Sequence, residues 1–183
     1  MNHVETNTYA VLDVPEPQAA AVMAVRVRHR DEFRSSLPVE ITVAGSNGVG
    51  EFEPRQSGRE VFSALDAIAA ETEPIATSFG PVERFPGTDI FFLSVVDERP
   101  FHELHARIAS SAIRFRPCSF PYRPHCTLRD RTLITDDDVA DLILIEIPDS
   151  FVLDTLSVYA MPPPMALLHR VRLGGVRTGR ASA

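Results

Sequence analysis

Two short segments, one around Glu40 and one around His125, constrain the fold of this chain more than any other feature in it. The later one, residues 120–130, reads Phe-Pro-Tyr-Arg-Pro-His-Cys-Thr-Leu-Arg-Asp. Pro124 biases Arg123 toward extended backbone. In a strand, successive side chains alternate, so His125, Thr127 and Arg129 are predicted on one face and Cys126 and Leu128 on the other. An imidazole, a hydroxyl and a guanidinium side by side suit an anionic group such as phosphate. A solitary His-x-Thr is a weak signal, equally compatible with a strand whose polar face is merely wet.

The earlier segment, residues 37–43, alternates in the same way. It places Glu40 and Thr42 on one face and Ile41 and Val43 on the other. Each segment follows another strand-like run, residues 9–14 in the first case and residues 90–96 in the second. Two halves, each strand, helix, polar-faced strand, helix, strand, point to an internal duplication with a cleft between the copies. The expected fold class is α+β: two similar lobes, each an antiparallel-rich sheet, with helices outside and a central cleft.

Arg-Pro-His-Cys-Thr-Leu, residues 123–128, resembles the second His-x-Thr motif of the 2H phosphoesterase superfamily. That superfamily includes the 2'-5' RNA ligase-like cyclic phosphodiesterases. The resemblance covers roughly residues 7–174. It implies two motifs facing each other across a cleft, one histidine acting as general base and the other as general acid, with the threonine hydroxyls on the phosphoryl oxygens. Carried over residue by residue, His125 and Thr127 fill one motif and Thr42 fills half of the other. The first motif departs from the pattern: Glu40 stands at its histidine position, and the proline usually just before it lies one place early, at Pro38. Tyr122, Arg123 and Arg129 flank the intact motif as candidate ligand-binding groups. The implied ligand is a nucleotide or RNA end bearing a cyclic phosphate, or another small molecule, handled without metal or cofactor.

Glu40 decides what this implies. A carboxylate ~4 Å from a phosphate opposes it by about 4 kcal/mol at an effective dielectric of about 20. Three readings are compatible with that. Glu40 serves as a general base with a raised pKa; or it pairs with His125 in a ligand-binding or regulatory protein; or the pair acts on a neutral metabolite. If the two motifs are misaligned, Glu40 is simply solvated.

The net charge of −7 argues against a protein that coats nucleic acid indiscriminately. All 18 basic residues are arginine, and between Arg114 and Arg131 five of them stand against one acid, Asp130. That local excess suits a confined anionic ligand, although some of these arginines are expected to be solvated or paired. The chain has no apolar run near the ~20 residues that span a membrane, and its first ten residues are too polar for a secretory signal. Cys118 and Cys126 then read as reduced thiols of a cytoplasmic protein, for which a monomer is expected.

Apolar spacing predicts helices over residues 16–29, after the Ser57-Gly58-Arg59-Glu60 capping box, after Pro100, and after Thr135. The acidic run from Asp136 to Asp138 is read as a helix start, and His102 and His105 as boundary histidines, not metal ligands. Further strands are expected over residues 75–84, 89–96, 151–161 and 167–173. The glycine-containing loop over residues 45–54 matches no phosphate-loop spacing. Pro162, Pro163 and Pro164 read as a stiff connection. One domain over residues 1–174 and a flexible tail over 175–183 complete the expectation.

Overall fold

A computed structural model describes residues 3–4, 7–131, 133–161 and 165–174. The expected proline connection and the C-terminal tail lie outside them. The first half runs β1 (Thr8–Asp13), α1 (Gln18–Arg28), α2 (Glu32–Ser35), β2 (Glu40–Ala44), α3 (Gly58–Ala70) and β3 (Ile75–Arg84). The second runs β4 (Phe91–Val95), α4 (Arg99–Ala109), β5 (Cys126–Arg129), α5 (Asp136–Leu142) and β6 (Ser150–Leu153). Then come β7 (Thr155–Ala160) and β8 (Ala166–Arg172). Two four-stranded antiparallel sheets result, ordered β2-β1-β7-β8 and β5-β4-β3-β6. This is the duplicated two-sheet architecture expected, with β2 and β5 as matching edges that abut each other.

The single strand expected over residues 151–161 is two strands in different sheets. β6 pairs with β3, while β7 lies between β1 and β8. The chain crosses over at Asp154. Its carboxylate accepts from Thr155 Oγ1 (2.7 Å) and Arg172 Nη1 (2.6 Å), and its carbonyl accepts from the Leu173 amide (2.8 Å). Uninterrupted alternation in the sequence hides a corner that one aspartate holds.

The helices are exchanged between sheets. Helix α4 connects two strands of the second sheet yet packs on β2, whereas α1 connects two strands of the first yet packs on β5. Phe101, Leu104 and Ile108 form the fully buried stripe of α4, and Val61, Leu65 and Ala69 that of α3. They meet Leu12, Ile41 and Val43, the face of the first sheet opposite Glu40 and Thr42. Full burial of each large apolar side chain is worth roughly 1.5–3 kcal/mol. Helix α5 opens on a complete capping box, Thr135 with Asp138, so the acidic run does start a helix.

Both edge strands carry the same irregularity. The β1–β2 register slips so that Val11 faces Thr42 but Ala10 faces Ala44, leaving Val43 as an extra residue. In β5, Thr127 faces Phe92 but Arg129 faces Phe91, leaving Leu128 extra. Each bulge thus falls directly after the motif threonine. It also overturns one expectation. Arg129 does not share the face of His125 and Thr127: the bulge turns it to the side of Phe91, whose ring lies in the core. There it is fully buried and donates to the Leu133 carbonyl.

Arg26 of α1, wholly buried, ties the two edges together. Its Nε and Nη2 donate to the Thr127 carbonyl (3.1 and 2.8 Å), and Nη1 donates to the carbonyls of Arg34, Leu37 and Pro38 (3.1, 3.3 and 3.1 Å). Removing one partner of a buried charged network typically costs about 3–5 kcal/mol. Arg26→Met should therefore lower unfolding free energy by about 3 kcal/mol in urea titrations, whereas Arg28→Met, on the exposed side of the same helix, should change it by less than about 1 kcal/mol.

Candidate active site

The second motif enters β5 from the Tyr122-Arg123-Pro124 lead-in. His125 Nδ1 lies 2.7 Å from the Arg123 carbonyl oxygen. A carbonyl can only accept, so Nδ1 carries the proton and Nε2 keeps its lone pair. The ring meets the edges of Phe85 and Phe92, both with centroids 5.1 Å away. This apolar surround, with the positive charges of Arg34 and Arg123 nearby, pushes the imidazole pKa down to about 4, against a hydrogen bond from Nδ1–H that works the other way. His125 is a neutral base at pH 7. Thr127, its strand neighbour on the same face, is buried opposite Phe92.

The altered motif sits on β2. Glu40 is 5% exposed, and burial pushes its pKa up in spite of the nearby charges of Arg34 and Arg26. Its Oε2 accepts from Thr42 Oγ1 at 2.9 Å, and its Oε1 lies 4.0 Å from Arg34 Nη1. The expectation that Glu40 could be solvated fails: it is a buried carboxyl facing the same side of its sheet as Thr42, Val11 and Asp13.

The junction of the two edges brings the motifs into one neighbourhood. The Cys126 thiol, between His125 and Thr127, bonds to the Glu40 backbone, and burial pushes its pKa up to about 11. Tyr122 donates its phenol proton to the Thr42 carbonyl (3.2 Å), and burial together with the Glu40 charge pushes its pKa up. His105 of α4 stacks flat on Tyr122, with centroids 3.8 Å apart, and its Nδ1 is 2.7 Å from the Val43 carbonyl. It props the lead-in loop; among the described residues no cluster of His, Cys, Asp and Glu is arranged to hold a metal ion. Arg123 lies over the Phe92 ring at 4.9 Å and pairs with Glu83 at 2.6 Å, beside the motif histidine.

Alternation pointed to none of the helix-borne groups. Arg34 comes from the four-residue α2, too short to show periodicity, and its charge acts on Tyr9, Glu40, Cys126 and His125 alike. The one trace in the sequence is Asp31. It caps α2 through the Arg34 amide (2.8 Å) and accepts from the Asp130 amide (2.7 Å), locking α2 to the end of β5. Tyr9, which donates to Glu51 Oε1 at 3.0 Å, lines the same face, its pKa pushed up to about 12 by burial and Glu51.

A family model described as the 2'-5' RNA ligase superfamily matches residues 14–160. The chain belongs to that superfamily. Solved structures agree on the fold. TT0787 of Thermus thermophilus superposes with a TM-score of 0.66 at 15% identity, covering 92% of this chain and 98% of that one. Escherichia coli LigT complexed with 3'-AMP gives 0.57 at 14% identity, over 91% and 97%. LigT complexed with phosphate gives 0.53 at 13%, over 94% and 98%. At such identities the likeness is one of fold, and no curated protein sequence matches. Among the described residues of this superfamily member, no helix is long and apolar enough to cross a membrane.

The two site groups should leave opposite marks on stability. The His125 pKa is below its ordinary 6.5, so as pH falls the unfolded chain takes up a proton first. Its contribution is full above pH 6.5 and is lost toward pH 4, a change of up to about 3 kcal/mol. The Glu40 pKa is raised above 4.5, so its contribution is full below that value and is lost as pH rises through the folded pKa. In urea titrations from pH 4.5 to 8, His125→Gln should flatten the acid limb. Glu40→Gln should gain on the wild type as pH rises.

Proposed function

We propose that this protein is a metal-independent phosphodiesterase of 2',3'-cyclic phosphates, on a nucleotide or at the end of an RNA. His125 is its base and Glu40 its acid. One observation carries the reading. Two titratable groups at the junction of β2 and β5 have pKa values displaced in opposite directions, the imidazole down to about 4 and the carboxyl up. Paired groups so displaced are the usual signature of acid–base catalysis. Protonated, Glu40 takes the histidine's place as acid and no longer repels the phosphate.

In the proposed step His125 Nε2 takes a proton from water as the water oxygen bonds to phosphorus. The bond from phosphorus to one ribose oxygen breaks, and the Glu40 carboxyl gives its proton to that oxygen. A phosphomonoester is left. Thr42 and Thr127 hold the non-bridging oxygens, and Tyr122 and Arg123 flank the ligand. The buried Arg129 takes no part. The complex of LigT with 3'-AMP is in keeping with this ligand class.

A second reading has its own observation. The Thr42 hydroxyl already donates to Glu40, and a hydroxyl so engaged cannot donate to a phosphoryl oxygen. On that reading the protein binds its ligand without turnover.

Hydrolysis of 2',3'-cyclic AMP separates the two. For an enzyme, the rate is unaffected by a chelator and falls by about 10²–10⁴ in His125→Ala. The acid limb of kcat/KM lies near pH 4, where His125 protonates, and Glu40→Gln removes the alkaline limb along with most of the rate. Glu40→His, which restores the paired motif, keeps activity only toward lower pH, because burial and the nearby arginines lower the pKa of an imidazole at this place. Absence of turnover in wild type, with a gain in Glu40→His, would establish the binding protein instead.

A further inference from the structure

Arg34 is held from three sides and used on only one edge. Its amide donates to Asp31 Oδ1, its carbonyl accepts from Arg26, and its Nε and Nη2 both donate to the single oxygen Oδ2 of Asp130 (2.8 and 2.5 Å). Asp31 in turn accepts from the Asp130 amide, so guanidinium and carboxylate are mounted on one rigid unit. The remaining terminal nitrogen, Nη1, makes no hydrogen bond among the described residues. It faces Glu40 Oε1 at 4.0 Å, beyond hydrogen-bond range. The side chain is 18% exposed, so it is reachable but largely desolvated. An arginine fork with one edge satisfied and one edge open is a ready donor for a tetrahedral oxyanion.

We propose that Arg34 is the anion anchor of this cleft, its Nη1 edge taking a non-bridging phosphoryl oxygen in the gap beside Glu40 while Asp130 keeps the opposite edge in place. The anchor rests on the phosphodiesterase reading for its ligand, but its geometry does not depend on turnover. It also explains how a site that carries a carboxyl where a histidine belongs accepts an anion: the positive charge comes from α2, outside either strand motif. Asp130 sets the strength of the anchor, since its charge competes with the ligand for the same guanidinium. Arg131 lies nearby, over the Phe33 ring at 3.7 Å, but it is mostly exposed and its contribution is screened.

Sulfate tests this directly because its charge is constant from pH 5 to 8 and it cannot be turned over. Binding to the full chain is followed by NMR titration, each variant first being shown to unfold cooperatively. Wild type binds sulfate saturably; Arg34→Gln weakens it at least tenfold; Arg34→Lys, which keeps the charge but loses the fork, weakens it severalfold; Arg131→Gln changes it less than threefold. Asp130→Asn should tighten binding severalfold, a gain that no folding defect imitates. Wild-type affinity in Arg34→Gln, no saturable sulfate binding in wild type, or no gain in Asp130→Asn overturns the proposal. Parallel assays with 2',3'-cyclic AMP and 3'-AMP keep it distinct from the catalytic reading. Sulfate bound through Arg34 without cyclic nucleotide turnover refutes the enzyme and keeps the anchor. Turnover with kcat and KM unchanged in Arg34→Gln does the reverse.

Discussion

Arg26 sets the separation of the two motif strands, and the rest of the site inherits its geometry from that distance. β2 and β5 are edges, and an edge strand exposes carbonyls with nothing to bond. Here the bulges after Thr42 and Thr127 turn such carbonyls aside from their ladders. The exchanged helices supply the donors: Arg26 from α1 takes the Thr127 carbonyl, and His105 from α4 meets that of Val43. Each sheet edge is therefore finished by a helix connecting strands of the other sheet. Neither half of the duplication completes its own motif, which is a physical reason for the two to stay fused.

The exchange also explains how a fully buried guanidinium is tolerated. Its five hydrogen bonds end on four backbone carbonyls, one on β5 and three on the chain leading into β2. Carbonyl dipoles spread the compensation over several groups, and the Glu40 carboxyl is near enough to feel the charge. If Glu40 is protonated, Arg26 is satisfied by dipoles alone and its field holds the proton less firmly. The clamp that positions the strands therefore also lowers the Glu40 pKa, and the two effects cannot be separated by moving one residue.

Period-two alternation made the polar-faced strands, the duplication and the motif threonines legible in the sequence, because it depends only on neighbours along the chain. It failed at Arg129, where the extra residue Leu128 reverses the facing, and at Asp154, where a corner interrupts what reads as one strand. Both failures have one cause: pairing with another strand, not propensity, decides where a bulge or a crossing falls. Arg26 and Arg34 were invisible for a related reason. Arg26 shares the buried face of α1 with Gln18 and Val22, a face that apolar spacing does not mark, and Arg34 lies in a helix of one turn. Their roles come from contacts with Thr127 and Asp130, roughly a hundred residues away in sequence.

The substitution at position 40 looks, from sequence, like the loss of half a catalytic pair. The surroundings suggest a different account. A histidine at this place would stand among Arg26, Arg34 and a buried backbone, and each of those influences disfavours the imidazolium needed in a general acid. A carboxyl in the same surroundings is pushed the other way by burial, toward the protonated form that can donate. Burial, working against the pull of the two arginines, thus fits position 40 to a group that is neutral when protonated better than to one that is cationic. On the proposed reading, charge on fixed guanidinium groups and a proton on a carboxyl divide between three residues what a histidine does alone. That division depends on the open edge of Arg34 staying aimed at the gap beside Glu40, where Asp130 and Asp31 hold it.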